Sequence, residues 1–254
     1  MKTPLKPPLT ELKSATALKT IIPRGSAVHT MLLYDGKLEL DLTDGNFVIA
    51  HTNKYVIYEL WRCLLEDPER VAAFVEYMHP VEDQNIFYLL QENWPKYSDP
   101  FVRAGLFVLL NRYSETGLVS SGEMKVDNYS ALSINNLKRA SPPDNLHLIL
   151  DPEGDFFEPL NSLDSRCDYA VIPAGNYKPS FLLSEYKKSH EETNIDHERL
   201  FDFFKTTKNK TLLVYEYSKA AVKKYSGYNQ YIVDRWGRLT ESDKFSKEVI
   251  IANF

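Results

Sequence analysis

The sequence is short of cysteine, of long apolar runs and of any large excess of one charge. Each shortage closes off a class of protein. Two cysteines, Cys63 and Cys167, cannot build a disulfide framework and argue against a zinc knuckle. Buried free thiols in a reducing compartment are expected instead. No stretch approaches the length of a membrane span, and the first residues lack the apolar block of a signal peptide. A cytoplasmic protein with no membrane partner is therefore expected, in a cell or an infected cell. A net charge of -5 with a pI of about 5.7 does not suit a protein that coats nucleic acid, although a local basic face is compatible with it. No G-x-S-x-G, Walker or H-E-x-x-H pattern occurs, so hydrolase and nucleotide-binding chemistry have no support. Ser189-His190-Glu191-Glu192 and Asp196-His197 carry metal-ligand residue types, but their spacing puts no pair on one helical face, and no metal is expected.

What is present is enough for one sizeable core with one inserted lobe: 254 residues, 43% hydrophobic, with 16 Tyr and 13 Phe. Residues 1–9 carry three prolines and read as an arm. Thr10–Ile22 has helical spacing and stops at Pro23. Val28–Leu33, Lys37–Leu42 and Asn46–Ala50 read as strands separated by Asp-Gly turns. A mainly helical block follows over 55–112, with Asp-Pro start signals at Asp67-Pro68 and Asp99-Pro100. Residues 113–130 are turn-rich and suggest a hairpin or loop off the main body. Ser133–Arg139 reads as a short helix.

From Leu146 onward strands and helices alternate: strands over Leu146–Leu150, Tyr169–Ile172 and Thr211–Tyr217, helices over Phe156–Leu163, Ile195–Lys205 and Ser218–Lys224. Two closing strands, Tyr228–Trp236 and Lys247–Phe254, have no helix between them. This order implies an α/β fold with a mostly parallel sheet covered on both faces and an antiparallel pair at one edge. The strand Tyr169–Ile172 is expected to stop at Pro173, in a Pro-Ala-Gly-Asn-Tyr turn. Loops beyond the carboxyl ends of such strands are where ligands sit.

Several segments resemble the Dam-like DNA adenine methyltransferases. Phe107-Val108-Leu109-Leu110-Asn111-Arg112 is similar to the family's F-L-Y-L-N-R string, with Thr116-Gly117 and Gly122-Glu123-Met124 at the offsets of its N-G and G-E-F. His197-Glu198-Arg199-Leu200 looks like its H-x-x-L helix, and Glu248–Phe254 like its terminal E-V-L-I-x-N-Y strand, with Arg235 upstream where the family has an arginine. Asp168 to Tyr177 falls where the family has D-F-V-Y-x-D-P-P-Y. The resemblance implies a Rossmann-like methyltransferase fold. Residues 1–54 and 131–254 would form its core, and 55–130 a helical recognition-like lobe.

The resemblance also implies S-adenosylmethionine and a flipped adenine as ligands, and here the residues depart from the pattern. The family's glycine-bearing cofactor loop aligns with Leu9-Thr10-Glu11-Leu12-Lys13, which has no glycine. Its E-P-F-x-G-x-G aligns with the stretch ending at Tyr34-Asp35-Gly36, and its ribose-binding acid with His51. D-P-P-Y has become Ile172-Pro173-Ala174-Gly175, with Asn176-Tyr177 displaced beyond it. Lys13, Tyr34, Gly36 and His51 are thus degenerate cofactor positions, and Ile172 to Tyr177 a degenerate catalytic position. Asn176 and Tyr177 would rebuild an N-x-x-Y-like site only if the loop shifts.

A catalytically inactive methyltransferase-like protein without cofactor is the expectation, binding double-stranded DNA or a protein. A structural or assembly subunit reusing the fold, and a divergent but active S-adenosylmethionine-dependent enzyme, are the alternatives. Arg112, Tyr113, Lys223, Lys224, Arg235 and Arg238 are the nucleic-acid candidates. The last four belong to a stretch with Tyr225, Tyr228, Tyr231 and Trp236 that mixes cations with rings. Against them stand plainer readings: a helix-end charge for Arg112 and a solvated edge strand for the rest. Lys205–Lys210 reads as a solvated basic turn.

Overall fold

A computed structural model describes residues 1–6, 12–152, 157–163, 167–177 and 195–254. Residues 9–11 of the expected cofactor loop, Phe156 and the Ser189–Glu192 cluster lie outside the described residues.

The chain runs α1 (Ala15–Ile21), β1 (Ala27–Thr30), α2 (Lys37–Leu42), β2 (Phe47–Thr52), α3 (Tyr55–Glu66), α4 (Pro68–Met78), α5 (Gln84–Asn93) and α6 (Pro100–Tyr113). It continues through α7 (Ala131–Lys138), β3 (Leu146–Leu150), α8 (Phe157–Asn161), β4 (Tyr169–Gly175), α9 (His197–Thr206), β5 (Thr211–Glu216), α10 (Lys219–Lys224), β6 (Asn229–Asp234), β7 (Leu239–Thr240) and β8 (Ser246–Ala252). Local chemistry sets the helix starts. Asp67, Asp83, Asp99 and Asp196 each accept hydrogen bonds from backbone N–H groups of the first turn, so the first turns of α4, α5, α6 and α9 are capped.

The strands form one sheet in the order β3-β2-β1-β4-β5-β8-β6-β7. The pairs from β3 to β5 are parallel, and those from β5 through β8 and β6 to β7 are antiparallel. This is an α/β fold of the methyltransferase-like Rossmann type. Successive strand residues feed opposite faces. Val171, Leu212, Val214 and Ile250 join Trp61, Phe107 and Leu110 in one apolar cluster. Ile172, Leu213, Tyr215 and Ile251 join Leu200 and Phe204 in the other.

Three expectations need correction. Lys37–Leu42 is a helix and not a strand. Its Leu38, Leu40 and Leu42 alternate, but β1 and β2 pair in parallel, so the chain between them must cross over. Gly36, at φ +69°, starts the helix. Second, β4 does not stop at Pro173 but runs to Gly175 through an irregularity between the two. Alternation along the strand turns Pro173 toward β1, which has already ended at Thr30, so the missing N–H costs no ladder bond. The antiparallel closing pair stands as expected, β8 against β6, with the two-residue β7 outermost beside them. Third, the first six residues are docked. Leu5 is buried, and the backbone N–H and C=O of Lys6 both bond the Asn111 side chain, at 2.7 and 2.9 Å.

Candidate functional site

The carboxyl ends of β1, β2, β3, β4 and β5 share one edge of the sheet. β6 runs parallel to β5, since both oppose β8, so the turn after Asp234 lies at that edge too. Glu248 pairs with Glu216 in register and joins it. Topology therefore brings the expected cofactor residues, the expected catalytic turn and the Arg235–Arg238 turn to one side of the molecule.

Beyond β1 the loop is filled by α3. Trp61, fully buried, donates its indole N–H to the Tyr34 carbonyl at 2.8 Å. Its ring lies on Gly36, where a Cβ would come within 2.0 Å of it. The Tyr34 hydroxyl donates to the Gly117 carbonyl at 3.2 Å. Gly36 thus serves helix packing: its bare backbone faces an indole.

At the end of β2, His51 is buried and bonded at both ring nitrogens. Nδ1 lies 3.0 Å from Asp151 Oδ1, just past β3, and Nε2 lies 2.9 Å from His29 Nδ1 on β1. With Nδ1–H donating to the Asp151 carboxylate, Nε2 is placed to accept from His29. A carboxylate is present at this edge, therefore, but one strand over and turned inward. Lys13 contributes its backbone: its N–H and that of Ser14 donate to the two oxygens of Glu248, at 2.7 and 2.8 Å. Burial raises the Glu248 carboxyl's pKa against the pull of those two donors.

At the end of β4, Ile172 and Ala174 are buried, Pro173 and Gly175 half-buried, and Asn176 exposed. Tyr177 is half-buried. Its ring packs beside His197 and Tyr215, at centroid distances of 5.4 and 6.0 Å, and its hydroxyl donates to Glu198 at 3.2 Å. Below it runs a buried polar chain, with His197 Nδ1 3.2 Å from the Tyr215 hydroxyl and that hydroxyl 3.2 Å from Tyr225's. Burial holds both phenols above the ordinary tyrosine range. Among the described residues no three His, Cys, Asp or Glu side chains converge on a metal position, and no helix is long and apolar enough to cross a membrane.

The nucleic-acid candidates separate. Arg112 donates from Nε to the Pro4 carbonyl, and burial depresses its pKa. Tyr113 is buried, its hydroxyl 2.8 Å from His79 Nδ1. Lys224 is paired with Glu198 and lies 4.5 Å from the Phe201 ring centre, while Lys223 is exposed. Arg235 and Arg238 are exposed, and the six residues of β6 stand between them and the lysines.

Three acids of this region escaped the sequence reading: Asp151, Glu248 as a partner of the α1 entry, and Glu39. A carboxylate directly after a strand, and a charge inside an apolar strand, were the available signals for the first two. Glu39 lies on α2 beside Thr30, 3% exposed, and burial raises its pKa to about 7. Between 4.5, its ordinary value, and about 7 the native state keeps a proton that the unfolded chain has released. Stability therefore falls as pH rises through that window and is level above it. Glu39→Gln is expected to remove the slope and to stabilise the protein by about 3 kcal/mol at pH ~8, with little change below pH ~4. Urea unfolding across that range measures it, and parallel wild-type and variant profiles would refute it.

No family model matches this chain. DNA adenine methylases of Salmonella typhi and Salmonella typhimurium are 30% identical to it over 102 residues. The match spans 40% of this chain and only 37% of each relative. The similarity is distant and partial.

Proposed function

We propose that this chain is a catalytically inactive relative of the DNA adenine methyltransferases that works as a binding module for DNA or a protein partner, without a cofactor. In this reading residues 1–54 and 131–254 are the methyltransferase-like core and 55–130 a recognition-like lobe.

The observation that carries the proposal is His51, which stands at the end of β2 with both nitrogens committed to Asp151 and His29. A methyl donor's ribose asks for a free acceptor there. The indole on Gly36 and the buried Ile172 support the same conclusion. These residues do not fit S-adenosylmethionine. Arg112 and Tyr113 are read as structural, because their polar groups are spent inside the fold. The divergent-enzyme reading draws on Asp151, a carboxylate at the neighbouring strand end.

Thermal unfolding with millimolar S-adenosylmethionine decides between them. A ligand that binds the native state at 100 times its Kd stabilises it by about 2.7 kcal/mol. No shift in Tm is expected, and a dose-dependent rise would overturn the inactive reading.

A further inference from the structure

We propose that the β6–β7 hairpin is a stacking platform for an unpaired base of single-stranded nucleic acid. The inference rests on the binding-module reading and names its partner. The chain's three tryptophans divide sharply: Trp61 and Trp94 are 0% and 3% exposed, and Trp236 is 58% exposed. Trp236 stands at the tip of the hairpin beside Phe245, itself 46% exposed. Their ring centres are 6.4 Å apart and the planes are inclined at 46°, so the two rings do not cover one another. Each lies near a cation, with Arg235 4.2 Å from the Trp236 centroid and Lys244 5.8 Å from that of Phe245.

The tip is held rigid. Asp234 Oδ1 accepts from the backbone N–H of Trp236 at 2.8 Å and of Arg238 at 3.0 Å. Gly237, at φ +82°, is pressed on the Lys13 carbonyl, where a Cβ would come within 2.3 Å. A large ring presented in a fixed position loses little entropy on binding. A base has a π-face to lay on Trp236, and its flanking phosphates meet Arg235, Arg238 and Lys244. Glu241 follows in the sequence and limits the positive charge. Contact with two or three phosphates is expected, giving a log–log salt slope between about -1.4 and about -2. Within a duplex the base faces are already stacked, so an unpaired strand is the fitting ligand.

The test is a tryptophan-fluorescence titration of the full chain with a short oligothymidylate at low salt, alongside the same strand annealed to its complement. Only Trp236 is open to quenching. Saturable quenching by the single strand and none by the duplex is expected. Trp236→Ala is expected to weaken binding of a labelled oligothymidylate roughly tenfold or more, by anisotropy. The paired change Arg235→Ala with Arg238→Ala is expected to weaken binding and flatten the salt slope. No quenching by the single strand, equal quenching by the duplex, or unchanged binding by Trp236→Ala would overturn the inference. Titrating S-adenosylmethionine into the same samples separates the two proposals. A failed oligonucleotide arm without a cofactor shift sinks the platform alone, and a cofactor shift sinks the inactive reading.

Discussion

His51→Asp is expected to lower stability by about 3 kcal/mol or more near pH 8 and to confer no cofactor binding. The substitution restores the acid that the methyltransferase resemblance implies at the end of β2. In this fold the new carboxylate would face Asp151 across the space the imidazole now bridges, where Asp151 loses the Nδ1–H donor 3.0 Å away. His29 loses the partner that lies 2.9 Å from its Nδ1. Both groups at the centre are buried. Two adjacent buried carboxylates cannot both ionise cheaply, so one holds its proton to higher pH than in the unfolded chain. The variant is therefore least unstable in mild acid, and its deficit against wild type grows as pH rises through that raised value. Urea unfolding at pH ~5 and ~8, with a thermal-shift titration of S-adenosylmethionine, measures both halves. A stable variant that binds the cofactor would mean the site was one substitution from function.

Gly36→Ala is expected to cost about 3–5 kcal/mol, from two separate causes. The residue sits at φ +69°, where a side chain adds about 1–2 kcal/mol of strain. The added methyl would also lie 2.0, 2.3 and 2.8 Å from three carbons of the Trp61 ring. That ring is held by its bond to the Tyr34 carbonyl and has little freedom to retreat. Trp61→Leu should cost about 3 kcal/mol alone, through the volume it removes. Combined with Gly36→Ala it should cost clearly less than the sum, because the clash is gone. Denaturant melts of the two single variants and the double variant close the cycle. Strict additivity would show that the ring does not bear on this glycine.

Where local chemistry decides, the residues themselves were readable. Asp67-Pro68 and Asp99-Pro100 announce helix starts whose caps need only the next few N–H groups. Strands such as Leu146–Leu150 are bounded by turn residues and appear where their apolar pattern places them. Lys37–Leu42 misled because alternating leucines suit either a strand or a short helix buried on several sides. Only the parallel pairing of β1 with β2 requires the crossover there. Pro173 misled for a related reason: whether a missing N–H matters depends on which neighbour it would face, and β1 ends first.

The sequence by itself determined the class of fold, the alternation that makes a parallel sheet, the scarcity of glycine around Lys13 and His51 and the lack of a D-P-P-Y string, because each is a property of short stretches of chain. Tertiary structure alone decided what surrounds those positions. His51 and Asp151 are 100 residues apart, Lys13 and Glu248 are 235 apart, and the ring that fills Gly36 comes from another helix. Side chains so distant meet only once the strands are ordered. Hydrogen bonding and burial act on that spatial neighbourhood, which no local pattern encodes.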